Sequence, residues 1–203
     1  MAAIHIKTSH GRREGASGME RSRHATVLMS GGIDSAACAA FLIDQGLEVS
    51  AVFVDHGQAA ADFERSAVRS LAIALEIQVQ ELALTGAAPF GCGELVGRNA
   101  FLVFSAILAT RARSSRIALG LHAGTPYYDC SPAFVDTINR SVAEYTDNAV
   151  RVVAPFIEWT KREVYDYFIH AGLPIEMTYS CEYGGAPTCG RCASCQDRKA
   201  LQC

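Results

Sequence analysis

The sequence predicts an α/β protein with a doubly wound parallel sheet, on three observations. Apolar, β-prone runs alternate with helical segments from residue 26 to residue 171, a glycine-rich turn follows the first run, and no linker or internal repeat divides the series. Thr26-Val27-Leu28-Met29 is continuously β-prone and reads as a buried strand. Residues 35–44, Ser-Ala-Ala-Cys-Ala-Ala-Phe-Leu-Ile-Asp, have the composition and length of a helix. Residues 48–54, Glu-Val-Ser-Ala-Val-Phe-Val, give a second strand, 62–76 a helix and 77–82 a third strand. Residues 98–113 carry apolar side chains at helical spacing. A strand at 115–119, a helix at 132–147, a strand at 150–154 and a helix at 161–171 complete the alternation, and Gly172 is placed to end the last helix. Ligands of such sheets bind outside the carboxyl ends of the strands. The turn at 30–35, the stretch Asp55-His56-Gly57-Gln58 and the stretch Gly120-Leu121-His122 all fall there, so one crevice is expected to hold them.

Ser30-Gly31-Gly32-Ile33-Asp34-Ser35 carries the most specific chemistry. Two adjacent glycines let the backbone turn tightly and approach a ligand, because no Cβ intervenes. The free N–H groups of the turn and of the following helix face outward, where the helix dipole favours an anion. Ser30 and Ser35 add hydroxyl donors, and the cradle suits a phosphate or pyrophosphate. A plain strand-to-helix turn capped by Asp34 or Ser30 would use the same residues. No Gly-Lys-Ser/Thr follows as in a Walker A loop, and the Gly-x-Gly-x-x-Gly of dinucleotide sites is absent. The hexapeptide resembles the pyrophosphate loop of the N-type ATP pyrophosphatases, which split ATP into AMP and pyrophosphate while adenylating a substrate. That resemblance implies a PP-loop (adenine-nucleotide α-hydrolase-like) fold in which Ser30, Gly31, Gly32, Asp34 and Ser35 hold ATP phosphates, with Asp34 near Mg²⁺.

At the other end, Cys181, Cys189, Cys192 and Cys195 form C-x7-C-x2-C-x2-C within a Gly- and Pro-containing segment. Overlapping C-x2-C steps bring three sulfurs together, and the glycine-rich loop lets the fourth fold back. Four thiolates suit structural Zn²⁺, and an iron–sulfur cluster is the rival. Arg191 and Arg198 flank the segment and would offset the surplus negative charge of four thiolates around one Zn²⁺. Disulfides are disfavoured, because the amino terminus lacks the apolar core of a signal peptide and the chain is expected in the reducing cytoplasm.

Composition agrees with one globular enzyme. The chain has 203 residues, half of them hydrophobic, enough for a single sizeable core. A net charge of −3 gives no footprint for nucleic acid and no polybasic membrane anchor. No apolar run approaches the ~20 residues that span a bilayer. Residues 1–24 are polar and mixed in charge, and read as a flexible leader or an upstream start with the working chain beginning near Met19; His5 and His10 are expected to be solvated.

Phosphate loop in front and cysteine group behind together resemble the QueC family of 7-cyano-7-deazaguanine synthases, over most of residues 25–200. Asp55-x-Gly57-Gln58, Gly97-Arg98-Asn99-x-x-Leu102, Tyr127-x-Asp129-Cys130-x-Pro132-x-Phe134, Pro155 with Lys161-x-Glu163, and Thr178-Tyr179-Ser180-Cys181 all match in order. The resemblance implies ATP-dependent amidation and dehydration of 7-carboxy-7-deazaguanine with ammonia, through an acyl-adenylate, to the nitrile. It implies that Asp34, Lys161 and Arg98 serve catalysis, Lys161 and Arg98 meeting developing negative charge. Asn99, Tyr127 and Asp129 would form the deazapurine pocket. It implies a homodimer, with a C-terminal zinc-binding segment at 178–200. Each residue also has a plainer role: Arg98 and Asn99 as surface charge and cap, Lys161 and Glu163 as a solvated helix start, Cys130 as a small packed residue rather than a nucleophile. Cys38 reads as core, His56 and His122 touch ligand or local backbone, and Cys92 and Cys203 have no reading.

The sequence departs from the family around the substrate mouth. Ala59-Ala60-Ala61 stands where the family carries His within Gln-Arg-His, His56 replaces a Tyr, and residues 83–96 are shorter than the usual excursion. Family members in anti-phage gene clusters imply an alternative, delivery of the adenylated carboxylate to an amine on a protein. A nucleotide-binding pseudo-enzyme is a further alternative. Sulfur transfer to tRNA is disfavoured by the acidic chain.

Overall fold

A computed structural model describes residues 23–84, 90 and 93–203. The leader expected at 1–24 therefore lies outside the described residues up to residue 22, as do His5, His10 and Cys92; His24 already belongs to the first strand.

Five strands pair in parallel: β1 (His24–Leu28), β2 (Glu48–Asp55), β3 (Gln78–Ala83), β4 (Arg116–Ala118) and β5 (Arg151–Val153), in the order β3-β2-β1-β4-β5. Helices α1 (Ile33–Asp44), α2 (Ala61–Ala74), α3 (Arg98–Thr110), α4 (Pro132–Thr146) and α5 (Lys161–His170) connect or follow these strands, and α6 (Ala193–Leu201) ends the chain. The doubly wound parallel sheet expected from the alternation is thus present. Its order reverses between β1 and β4, so the crevice lies above Met29 and Leu119.

Val27 and Thr26 illustrate why β1 is central: alternate side chains face opposite layers, and all of Ala25 to Leu28 is buried. One layer contains α1, α2 and α5, where Ile33, Val68, Leu71, Phe156 and Phe168 share a core. The other contains α3 and α4, with Val103, Ala106, Ile138 and Val142 against Val52, Ile117 and Val152. Small residues in α1 (Ala36, Ala37, Ala39, Ala40) are buried and let its backbone lie close to β1 and α5. Phe156, fully buried and edge-on to Phe41 at 5.4 Å, contributes roughly 2–3 kcal/mol by burial.

Two differences from the expected boundaries have physical causes. The third helix stops at Thr110 instead of 113, because Arg111 and Ala112 both take φ of +52° and the Ala112 N–H turns back to the Ile107 carbonyl at 3.0 Å. Residues 161–171 end one residue earlier, and α5 starts with a capping box: Thr160 Oγ1 accepts from the Glu163 N–H at 3.2 Å while Glu163 accepts from the Thr160 N–H at 2.7 Å.

Gly120, just past β4, is the tightest contact between the two halves of the sheet. A Cβ there would stand 2.5 Å from the Asp34 carbonyl oxygen and 2.9 Å from the Ser35 nitrogen, both backbone atoms. Gly120→Ala is expected to destabilise the fold by about 2 kcal/mol and lower its melting temperature by about 4–8 °C; an unchanged melting temperature in a calorimetric scan would show that the crevice walls separate freely.

Candidate active site and metal centre

The turn after β1 runs through Ser30, Gly31 and Gly32 into the first turn of α1. Gly31 sits at φ +79° with α2 packed behind it, where a Cβ would meet the Glu64 carbonyl at 2.8 Å. The Ser30 N–H donates to Ser35 Oγ at 3.2 Å, and Ser35 Oγ donates to the Gly32 carbonyl at 3.1 Å. Gly32 is the N-cap of α1 and no side chain caps that helix. The helices α4 and α5 are closed by Ser131 and Thr160, whereas α2, α3 and α6, like α1, have no side-chain cap. The orphan donors of α1 open toward the crevice, beside the Ser30 and Ser35 hydroxyls.

Lys161 reaches across from α5 and donates to both carboxylate oxygens of Asp34, at 2.7 and 2.6 Å. His122, from the loop after β4, places Nε2 3.9 Å from the same carboxylate, and its Nδ1 lies 2.6 Å from the Ala123 carbonyl. The capping box fixes Lys161 at the first position of α5, so the pair is set by helix geometry. Glu163, the other half of the Lys161-x-Glu163 match, serves that box; its acceptance of the Thr160 N–H and hydroxyl holds its carboxyl below the usual range.

Arg98 opens α3 and is half-buried, and its buried Nε has no hydrogen-bond partner among the described residues. It faces His56, Glu64 and Cys130: its charge lowers the His56 pKa, secondary to burial, and opposes the burial that raises Glu64 and Cys130. Gln58 donates from Nε2 to Glu64 at 2.7 Å and accepts from the His56 N–H at 2.9 Å, so the Asp55-His56-Gly57-Gln58 stretch is tied to α2. Asn99 is buried and its carboxamide holds the segment after β4, donating to the Asp129 carbonyl at 2.8 Å while its N–H donates to Asp129 Oδ2 at 3.3 Å. Burial pushes the Cys130 thiol up to about 11, which disfavours a nucleophilic thiolate and leaves the packed reading. Tyr127 is half-buried, and its carbonyl accepts from the Cys130 N–H at 3.0 Å. Ser30, Asp34, Lys161 and His122 thus gather at β1 and β4, while Arg98, Asn99 and Asp129 gather at α3 and the 127–130 turn. Glu64 carried no signal in the sequence beyond being one of two acids in the first turn of a helix of mixed charge.

The four cysteines converge. Their Sγ atoms all lie within 4.8 Å of one another, and Cys189 and Cys195 are 3.9 Å apart. A tetrahedral ion with M–S bonds of about 2.3 Å needs sulfurs about 3.8 Å apart, so the donor set fits one metal ion after a small contraction. Cys181, Cys192 and Cys195 are buried. Backbone N–H groups of Arg191 and Cys192 donate to Cys189 Sγ at 3.5 and 3.4 Å and pull that thiol down to about 6. Burial pushes Cys195 up to about 12. The flanking arginines point elsewhere than expected. Arg198 donates to Thr178 Oγ1 at 2.8 Å, and Arg191 lies over the Tyr183 ring at 5.3 Å. Backbone N–H groups therefore temper the thiolate charge where guanidinium groups were expected to do so.

Together these features define a doubly wound α/β protein with a glycine turn at the reversal of its strand order and four converging cysteines that could hold a metal ion. The family model described as queuosine biosynthesis protein QueC matches residues 24–97 and 95–202, and the chain belongs to that family. It is 29% identical over 205 residues to the 7-cyano-7-deazaguanine synthase of Halobacterium salinarum, covering 87% of this chain and 90% of that one. It is 32% identical over 207 residues to the synthase of the same name from Methanothermobacter thermautotrophicus, covering 86% and 92%. Among solved structures, the U34-tRNA thiolase NcsA from Methanococcus maripaludis with its [4Fe-4S] cluster superposes with a TM-score of 0.50 at 12% identity, over 92% of this chain and 66% of that one, a likeness of fold. No described helix is long and apolar enough to cross a membrane.

Two measurements check the site. Burial raises the Glu64 pKa above its unfolded value, so the ionised carboxyl opposes folding at neutral pH and ceases to do so below that unfolded value. Glu64→Gln, which keeps an acceptor for Gln58, is expected to raise unfolding free energy at pH 7, with the gain shrinking toward pH 5. A gain independent of pH in denaturant titrations would refute the burial argument. Cys189→Ser is expected to lose stoichiometric bound metal by elemental analysis, whereas Cys38→Ser, remote from the group, retains it; equal metal in both would exclude the four-thiol site.

Proposed function

We propose that this chain activates a 7-deazapurine carboxylate at the expense of ATP and, with ammonia, converts it through the amide to the nitrile 7-cyano-7-deazaguanine. The observation that carries the reading is the open, uncapped first turn of α1 with the Lys161–Asp34 pair at its mouth, in a chain of the QueC family.

The chemistry asks for placement and charge neutralisation more than for a nucleophilic side chain. A carboxylate oxygen of the substrate attacks the α-phosphorus of ATP, and pyrophosphate leaves into the cradle of Ser30, Gly31, Gly32 and Ser35. Ammonia attacks the acyl-adenylate, AMP leaves with the carboxylate oxygen, and loss of a proton gives the amide. The amide oxygen attacks the α-phosphorus of a second ATP and displaces a second pyrophosphate, and departure of AMP with loss of both remaining nitrogen protons leaves the nitrile. Mg²⁺ would supply charge neutralisation between phosphates, with Asp34 as its protein ligand. Lys161, beside Asp34, would offer its ammonium to the phosphates. Arg98, its buried Nε without a partner, offers a charged donor to the substrate carboxylate. Asn99 acts through Asp129 and Cys130, which it holds in place, and Tyr127 and Asp129 line the pocket for the deazapurine. Zn²⁺ in the cysteine group is structural in this reading: the separation of the sulfurs suits a single ion, whereas an iron–sulfur cluster would spread them.

The second reading, conjugation of the adenylated carboxylate to a protein amine, is favoured by the β2–α2 loop, where Ala59-Ala60-Ala61 offers no polar side chain to a small acceptor. Metal-loaded protein incubated with MgATP, ammonium and 7-carboxy-7-deazaguanine is expected to yield AMP, pyrophosphate and the nitrile by mass spectrometry. An amide-only product or mass added to protein would move the reading to the altered acceptor, and absence of AMP would leave a nucleotide binder. Lys161→Met is expected to lower kcat by about 10²-fold or more; an unchanged kcat would remove Lys161 from the chemistry.

A further inference from the structure

Between the metal group and the phosphate loop runs Thr178-Tyr179-Ser180-Cys181, and three of these four residues have an evident engagement. Thr178 Oγ1 donates to the Ile175 carbonyl at 2.7 Å and accepts from Arg198. Tyr179 donates its N–H to the Gly31 carbonyl at 2.9 Å, stacks its ring on Phe63 at 4.8 Å, and donates its hydroxyl to the Gly185 carbonyl at 3.0 Å. Cys181 belongs to the four-thiol group. The Ser180 hydroxyl has no hydrogen bond among the described residues.

Its position gives it a use. A Cβ placed on Gly32 would lie 3.7 Å from Ser30 Oγ and 3.8 Å from Ser180 Oγ. The two hydroxyls therefore border the same space at the N-cap of α1, no farther apart than those two distances end to end, with the Tyr179 carbonyl oxygen 3.8 Å from the same point. One phosphate group accepting a hydroxyl bond of about 2.7 Å on either side spans such a gap. Gly32 is the residue that leaves the space empty, and any side chain there would fill it. The segment also meets the β2–α2 loop, since a Cβ on Gly184 would overlap the Ala59 carbonyl at 2.3 Å. The placement of Ser180 is consequently tied both to the cradle and to the cysteine group beside it.

We propose that Ser180 is a third hydroxyl of the phosphate cradle, contributed to the nucleotide site by the metal-binding segment, so that order at the four cysteines and affinity for polyphosphate are linked. This rests on the reading of the crevice as an ATP site. A polyphosphate seated over Gly32 takes bonds from Ser30 on one side and Ser180 on the other, with the α1 backbone donors between them.

The test is calorimetric titration of the full, metal-loaded chain with MgATP and with magnesium pyrophosphate, comparing the wild type with Ser180→Ala and Ser180→Thr. Ser180→Ala is expected to weaken both ligands about ten- to a hundredfold, the usual worth of a hydrogen bond to a charged group, with metal content and melting temperature unchanged. Ser180→Thr, which keeps the hydroxyl, is expected to restore most of the affinity. Wild-type binding retained in Ser180→Ala, or an equal loss in Ser180→Thr, would overturn the proposal and leave the ATP reading standing; a wild type that binds neither ligand would overturn both. A measurement free of substitutions runs beside it: pyrophosphate is expected to slow amide hydrogen exchange in peptides covering 178–184, and bound pyrophosphate with unchanged exchange there counts against the proposal.

Discussion

The backbone of Gly120 lies against the backbone of Asp34 and Ser35, and this contact sets the geometry of the whole carboxyl edge of the sheet. It fixes β4's exit beside the first turn of α1, at the point where the strand order reverses. From there the other contacts are forced. His122 emerges next to Asp34, Lys161 arrives from the capped start of α5, and the open donors of α1 point into the space between them. A side chain at Gly120 would push the two walls apart, and none of these approaches would survive.

The phosphate loop is held on two other sides as well. Behind it, Gly31 takes a left-handed conformation against the start of α2, which carries Glu64 and through it Gln58. In front, Tyr179 bonds the Gly31 carbonyl and brings the cysteine segment into contact. The segment that carries Cys181 is thereby tied to the turn after β1 through Tyr179 and Gly31.

Much of this was legible in the sequence where local rules decide it. The alternation located the five described strands and the connecting helices to within three residues; buried β1 is continuously apolar but for Thr26, whereas Gln78, Gln80 and Glu81 keep the edge strand β3 polar. The spacing of Cys181, Cys189, Cys192 and Cys195 anticipated that the four sulfurs converge, since that depends on short-range geometry. What the sequence withheld were contacts between distant segments. The pairing of Asp34 with Lys161 joins residues 127 positions apart. Gly120 and Gly184 each look like ordinary loop glycines until the backbone facing them is known. Arg198 follows Cys195 closely in sequence, yet the helical turn carries its guanidinium to Thr178 and away from the thiolates. Asn99 stood in a family-like motif, and the structure gives its carboxamide to Asp129.

The central claim is that this crevice activates a carboxylate by transfer to the α-phosphorus of ATP. It is tested most directly with 7-carboxy-7-deazaguanine labelled with ¹⁸O in the carboxylate, followed by mass analysis of the AMP released. The account predicts that the label appears in AMP, since the substrate oxygen that attacks phosphorus departs with it. AMP formed without the label would contradict acyl-adenylation, and the phosphate loop would then have to serve a different reaction.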